Sequence, residues 1–320
     1  MAARRALAKV LAAPARALSA AAAAPAATYA LPAATKAKFL KDGWAVLPNF
    51  LSPAELQPIA AVYDRFMSGE IYKENGMTPG KDFCDMSQPF STPFADWRIV
   101  NAMLPRRYHP ALAGNIYEAR AAAVAAQLFP GVAGGMRLDY DQLLNKRPKQ
   151  KHAVFAWHQD MAYWPPTPDT RTVTFSLAVD ATTVENGALR FLSGTGAARE
   201  LRPHKPVGSG REDSHAIAVE VDEATAAIDT ACVRAGDVTI HDEWVVHGSG
   251  GNTSDGPRRT YVIAFRTADT VQRERDAGFT HSHNDVRLRA RAARRGAQGR
   301  AHAVRANAPH SLPPPLPVPL

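Results

Sequence analysis

From Thr172 to Val179 and from Arg259 to Phe265, side chains alternate between two faces, the period of a half-buried strand. Residues 136–145, 171–180, 188–193, 216–221, 237–246 and 259–267 are short, rich in Val, Ile, Thr and aromatics, and separated by Gly, Pro, Asn and Asp. Each therefore predicts a strand. Trp44 to Leu47 predicts another, after a turn at Asp42-Gly43. Helices come earlier. Ser52-Pro53-Ala54-Glu55 has a capping Ser, a Pro at the first helical position and a Glu three residues after the cap, so a helix is expected from here to Met67, ended by Ser68-Gly69. The alanine-rich stretch Ala111 to Phe129 predicts a second. Helices first and many short strands later make one α+β domain, a helical layer on a double-sheet jelly roll or barrel.

This domain is expected over residues 36–268. Both ends read differently. Residues 1 to about 30 are alanine-rich, with spaced Arg and Lys and no acid. That composition fits an amphipathic organelle-targeting peptide, for mitochondrion or plastid, better than a secretory signal. A cytoplasmic protein with an inert tail is the alternative. From Gln272 the periodicity fades into an Arg- and Ala-rich, then Pro-rich tail, 272–320, expected to be disordered.

Charge follows the same division. The chain of 320 residues is net +8. Residues 1–38 hold six basic and no acidic side chains, and residues 271–320 hold nine arginines against three acids, which leaves the middle at net −4. No basic stripe with interleaved aromatics lies in the middle, so a nucleic-acid partner has no support. No window has the roughly 18 unbroken strong apolar residues of a membrane span. Cys84 and Cys232 make neither a disulfide framework nor a zinc ribbon. A small-molecule substrate is the expected partner.

Among eleven histidines, His158-Gln159-Asp160 stands out. In an extended segment residues i and i+2 share a face, so one imidazole and one carboxylate can meet one metal ion. His247 follows 89 residues later, at the end of an apolar run and before Gly248-Ser249-Gly250-Gly251-Asn252. Two His and one carboxylate form the facial triad that leaves three positions open and marks non-haem iron(II) oxygenases. Arg258, 11 residues beyond His247, is a natural partner for the far carboxylate of a 2-oxoglutarate co-substrate, because a guanidinium grips a carboxylate in two places and stays charged when buried. Ser249 is expected to donate a hydroxyl hydrogen bond to the same ligand. His241-Asp242-Glu243 also reads His-x-acid, but its downstream His281 and His283 fall in the expected tail. His241 and Glu243 are therefore expected at the pocket mouth or in a turn.

His158-Gln-Asp-x-x-Tyr-x-Pro165, Glu185-Asn-Gly-Ala-Leu-Arg-Phe-Leu-Ser-Gly-Thr195, Gly236-Asp237 and His247-Gly-Ser-Gly-x-Asn252 followed by Arg258 together resemble the phytanoyl-CoA dioxygenase family. The stretch from Phe39 to Glu55 resembles that family's opening strand and helix, and the resemblance runs from about 36 to 268. It implies a double-stranded β-helix, iron(II), 2-oxoglutarate and dioxygen, and oxidation of an unactivated carbon. It does not name the substrate; an acyl group is possible by resemblance alone. One departure is Ser193-Gly194-Thr195-Gly196, where the family commonly has Pro-Gly-Ser-His. Two rivals remain. A zinc hydrolase could use the same three ligands but gives Arg258 no task, and a non-catalytic metal- or ligand-binding protein could share the fold.

Overall fold

The computed structural model describes residues 29–76, 82–85, 87–89, 91–207 and 217–281. The expected targeting segment up to residue 28 and the tail from 282 lie outside them. The order is α1 (Ala33–Asp42), β1 (Trp44–Leu47), α2 (Pro53–Met67), α3 (Glu70–Glu74), β2 (Phe83–Asp85), β3 (Ile99–Met103), α4 (Ile116–Leu128), β4 (Met136–Lys146), β5 (Phe155–His158), β6 (Thr172–Ala178), β7 (Leu189–Leu192), β8 (Lys205–Pro206), β9 (Ile217–Ala218), β10 (Asp229–Ala231), β11 (Val238–His241), β12 (Val246–Ser249), β13 (Arg258–Thr267) and α5 (Ala268–Asp276). A seven-stranded sheet runs β1-β11-β6-β13-β4-β3-β2, a four-stranded sheet runs β10-β7-β12-β5, and β8 pairs with β9. This is the double-stranded β-helix, in an α+β domain.

The large sheet has two chemically distinct faces. Val173, Phe175 and Leu177 of β6, Tyr261, Ile263 and Phe265 of β13, and Val238 and Ile240 of β11 are buried in one core with helix residues. Side chains alternate across a strand, so Thr174, Ser176, Arg258, Thr260, Val262 and His241 face the other way, toward the small sheet, where they line a cavity. Helix α2 covers the apolar face with Leu56, Ile59, Tyr63 and Phe66, spaced for one helical stripe. Burying a Leu, Ile or Phe side chain contributes about 1.5–3 kcal/mol. Its start is the expected capping box: Ser52 Oγ accepts from Glu55 N–H at 3.3 Å, and Glu55 Oε2 accepts from Ser52 N–H at 2.9 Å. Helix α4 adds Tyr117, Ala121, Val124 and Leu128 to the same core.

Several boundaries differ from those read in the sequence. The domain already includes residues before Lys36: α1 starts at Ala33, the Tyr29 ring packs 4.8 Å from Phe50, and Leu31 N–H donates to Gln127 Oε1 at 2.9 Å. Helix α4 starts at Ile116 rather than Ala111, because Asn115 caps it through Glu118 N–H at 3.0 Å and Gly114 before it is left-handed at φ +69°. The expected strand 237–246 is two strands, split where Asp242 O accepts from Val245 N–H and Asp242 Oδ1 from Trp244 N–H. Gln272 lies inside α5 rather than in a tail. This helix buries Val271 and Glu274, and Glu274 pairs with the fully buried Arg266.

Candidate active site

Strand β5 ends at His158, Gln159 continues extended at φ −114° and ψ 127°, and Asp160 opens a short 3-10 turn to Tyr163. The two-residue period therefore holds just far enough to put His158 and Asp160 on one face. Gln159 points the opposite way and anchors them. It is fully buried; its Nε2 donates to Trp244 O at 2.7 Å and Glu200 O at 3.0 Å, its Oε1 accepts from Arg202 N–H, and its own N–H donates to His204 Nε2 at 3.1 Å. Strand β12 places His247 directly across from His158. Its neighbour Gly248 is required by that pairing, since a Cβ there would lie 2.9 Å from the Phe155 carbonyl.

His158 Nε2 lies 3.2 Å and His247 Nε2 3.6 Å from Asp160 Oδ1. All three donor atoms fall within 4.8 Å of one another. Two bonds of roughly 2.1 Å at right angles would put donors roughly 3 Å apart, so the group is sized for one metal ion. The remote nitrogens are committed: His158 Nδ1 lies 2.7 Å from Ala156 O and His247 Nδ1 3.1 Å from Val245 O. Each carbonyl accepts a hydrogen bond from Nδ1–H, which leaves Nε2 bare for a metal. Burial, partly offset by Asp160, takes the His247 pKa down to about 3, so this imidazole is neutral. Burial alone would raise the Asp160 carboxyl, but His247, His158 and His241 hold it well below the ordinary carboxylate range. Burial disfavours charge on His158 too, yet the Asp160 carboxylate outweighs it and raises that pKa. A proton there occupies the place a divalent cation would take, and the two compete.

His241 is not at the mouth, whereas Glu243 lies in the turn between β11 and β12, the second of the two places expected for it. His241, 4 % exposed, extends from β11 to the same carboxylate, with Nε2 3.1 Å from Asp160 Oδ2, and its ring centroid lies 4.4 Å from that of His247. Glu243 is fully buried beneath, accepting from Thr174 Oγ1 at 3.3 Å; burial and then Asp242 push its pKa well above the ordinary value. Nor is His281 in a tail without contacts, for its ring lies 6.3 Å from Tyr140.

The triad lines a cavity of about 270 Å³ between the sheets, with Arg258 also on its wall. Arg258 is 2 % exposed, its Nε has no hydrogen-bond partner, and it forms no ion pair among the described residues. Burial lowers its pKa to about 10, which still leaves it charged at neutral pH. A buried, unpaired cation is costly, so the site suits an anion supplied from solution. Arg259, on the opposite face, is occupied by Asp180 at 2.7 Å and Asp64 at 2.5 Å. Ser249 is buried and is not among the residues that line the cavity, and its hydroxyl accepts from Lys146 Nζ at 2.5 Å. Lys146, also fully buried and also donating to Gly250 O, sits across from Arg258 in the strand register.

Sequence reading missed Gln159, His204, Lys146 and the depth of His241. The alternation of Thr239 and His241 along β11 was the available signal for the last.

The triad and the lone arginine agree with what comparison with known proteins finds. The chain is 35% identical over 120 residues to a probable alpha-ketoglutarate-dependent hypophosphite dioxygenase of Stutzerimonas stutzeri, a match spanning 37% of this chain and 41% of that protein. It is 23% identical over 250 residues to the ectoine dioxygenase of Nocardia farcinica, spanning 73% of this chain and 77% of that one. The fold is similar to the crystal structure of EvdO2 from Micromonospora carbonacea var. aurantiaca complexed with 2-oxoglutarate, with a TM-score of 0.61 and 24% identity over 75% of this chain and 93% of that one. Residues 39–260 match the profile of the family described as Phytanoyl-CoA dioxygenase (PhyH). A match over that much of its length makes this chain a member of the phytanoyl-CoA dioxygenase family, whose enzymes are dioxygenases working with iron(II), 2-oxoglutarate and dioxygen.

Proposed function

We propose that this protein is an iron(II)- and 2-oxoglutarate-dependent dioxygenase that hydroxylates a small organic substrate. His158, Asp160 and His247 hold the metal, and Arg258 holds the far carboxylate of 2-oxoglutarate. The observation that carries the reading is Arg258, a buried cation without an ion-pair partner among the described residues, on the wall of the cavity that the three candidate ligands also line. Two imidazoles, His158 being neutral once a metal displaces its proton, and one carboxylate suit iron, with open positions left for co-substrate and dioxygen. When bound, iron(II) supplies the activation of dioxygen and the oxidation of an unactivated carbon. The protein's part is orientation and the exclusion of water. Ala156 and Val245 carbonyls fix the two imidazoles, the Gln159 amide fixes the turn between His158 and Asp160, and a Coulomb pair with Arg258 gains from the dry surroundings. Leu144, Phe155, Leu189, Ile217 and Val262 give the cavity apolar walls, which favours a compact, largely apolar substrate.

The test is a panel of small organic acids, amines and alcohols incubated with iron-loaded protein, 2-oxoglutarate and air. Substrate-dependent succinate, and a product that has gained one oxygen, are expected. Succinate no higher than in the iron-free control across the panel would contradict the assignment. Targeting to an organelle by residues 1–30 is part of the same proposal; it rests on their acid-free, Arg- and Ala-rich composition.

A further inference from the structure

We infer that His241 is a positioning residue for the metal site: it holds the outer oxygen of Asp160 so that the carboxylate presents Oδ1 alone to the metal. The inference rests on the proposal that His158, Asp160 and His247 are the ligands. The two carboxylate oxygens have separate surroundings. Oδ1 faces both ligand imidazoles, at 3.2 and 3.6 Å, whereas Oδ2 faces His241 Nε2 at 3.1 Å. An ionised carboxylate only accepts hydrogen bonds, so the His241 nitrogen facing it carries the proton, and in a neutral imidazole the other nitrogen is then a bare acceptor. Among the described residues, His241 Nδ1 is buried and has no hydrogen-bond partner.

The reason for such a clamp is the freedom of a carboxylate. It binds a cation through one oxygen or through both. Two-oxygen binding would take another of the three positions that co-substrate and dioxygen need. His241 is held firmly enough to prevent it. It pairs with Thr174 and Trp44 in the strand register, lies 5.9 Å from the Phe191 ring, and is 4 % exposed. It is not itself a fourth ligand of the group, because its near nitrogen is committed to Oδ2.

The experiment is a Co(II) titration of the metal-free full chain, followed by the visible absorption of the bound ion, in wild type, His247→Ala, His241→Gln, His241→Asn and His241→Phe. A Gln amide reaches the position of the imidazole Nε2; an Asn amide stops short of it. Loss of an outer-shell partner typically weakens metal binding by roughly 10–100-fold, and this is expected for Asn and Phe, with Gln close to wild type. Melting curves of the metal-free variants identify any that fails to fold. If Phe does not fold, the Gln-against-Asn comparison decides. Asn binding Co(II) as tightly as Gln, beside a clear loss in His247→Ala, would overturn this inference alone. Unchanged affinity in His247→Ala would overturn the ligand assignment and this inference with it.

Discussion

Two adjacent arginines, Arg258 and Arg259, meet opposite fates. The first is buried against the cavity without an ion-pair partner among the described residues; the second faces outward between Asp180 and Asp64. Truncating one member of a buried charge pair costs about 2–5 kcal/mol, much of it from stranding the other charge. At about 1.4 kcal/mol per tenfold, Arg258→Ala is expected to weaken 2-oxoglutarate binding roughly 30-fold or more. Arg259→Ala should leave it unchanged, and calorimetric binding curves of the two variants check this. His247→Ala removes a neutral nitrogen donor, and the neighbouring His241 has its near nitrogen turned to Asp160 Oδ2, so iron titration of that variant should show affinity lost. The triad and Arg258 were legible because each depends on local period: two residues across Gln159, and an inward-facing register at the start of β13. Ser249 was read only for a donor role toward the co-substrate, and its contact with Lys146 was not legible. Its hydroxyl is taken by Lys146, 103 positions away in the chain, and nothing local announces a buried lysine. His241 and Asp160 are 81 positions apart, which hid their contact in the same way.

Among the elements, α2 is fixed by chemistry at its own first turn. Removing a capping hydroxyl costs about 0.5–2 kcal/mol. Ser52→Ala is therefore expected to lower the melting temperature by roughly 2–4 °C for each kcal/mol lost. Succinate production per folded molecule should stay the same, because α2 packs on the face of the sheet remote from the cavity. Strong alternation made β6 and β13 legible, and the capping box did so for α2. The missed features are those set by single side chains. Asn115 decides where α4 begins, and Asp242 turns the chain between β11 and β12 by capping Trp244. Strands β2 and β3 are short and buried throughout, so they show no alternation to read. The lack of apolar periodicity near Gln272 hid α5, whose attachment is the ionic pair of Arg266 with Glu274 as much as Val271.

For the whole molecule, the fold assigns its two faces to two tasks. The apolar face of the large sheet takes the helical layer; the inner face holds the polar groups of the cavity. The helical layer reaches back to Tyr29, whose hydroxyl donates to Pro48 O at 3.2 Å. Deleting residues 1–32 should therefore lower the melting temperature by removing the Tyr29–Phe50 contact and the Leu31–Gln127 hydrogen bond, and, under the proposed targeting role, deleting residues 1–28 should abolish import. The central claim, that one cavity holds both the iron and the 2-oxoglutarate, is tested most directly by anaerobic calorimetric titration of 2-oxoglutarate into the full chain, with and without iron(II), in wild type and in Arg258→Ala. The account predicts one site in wild type, tight only with iron present and weakened in the variant. Binding that ignores iron, or that survives Arg258→Ala unchanged, would contradict it.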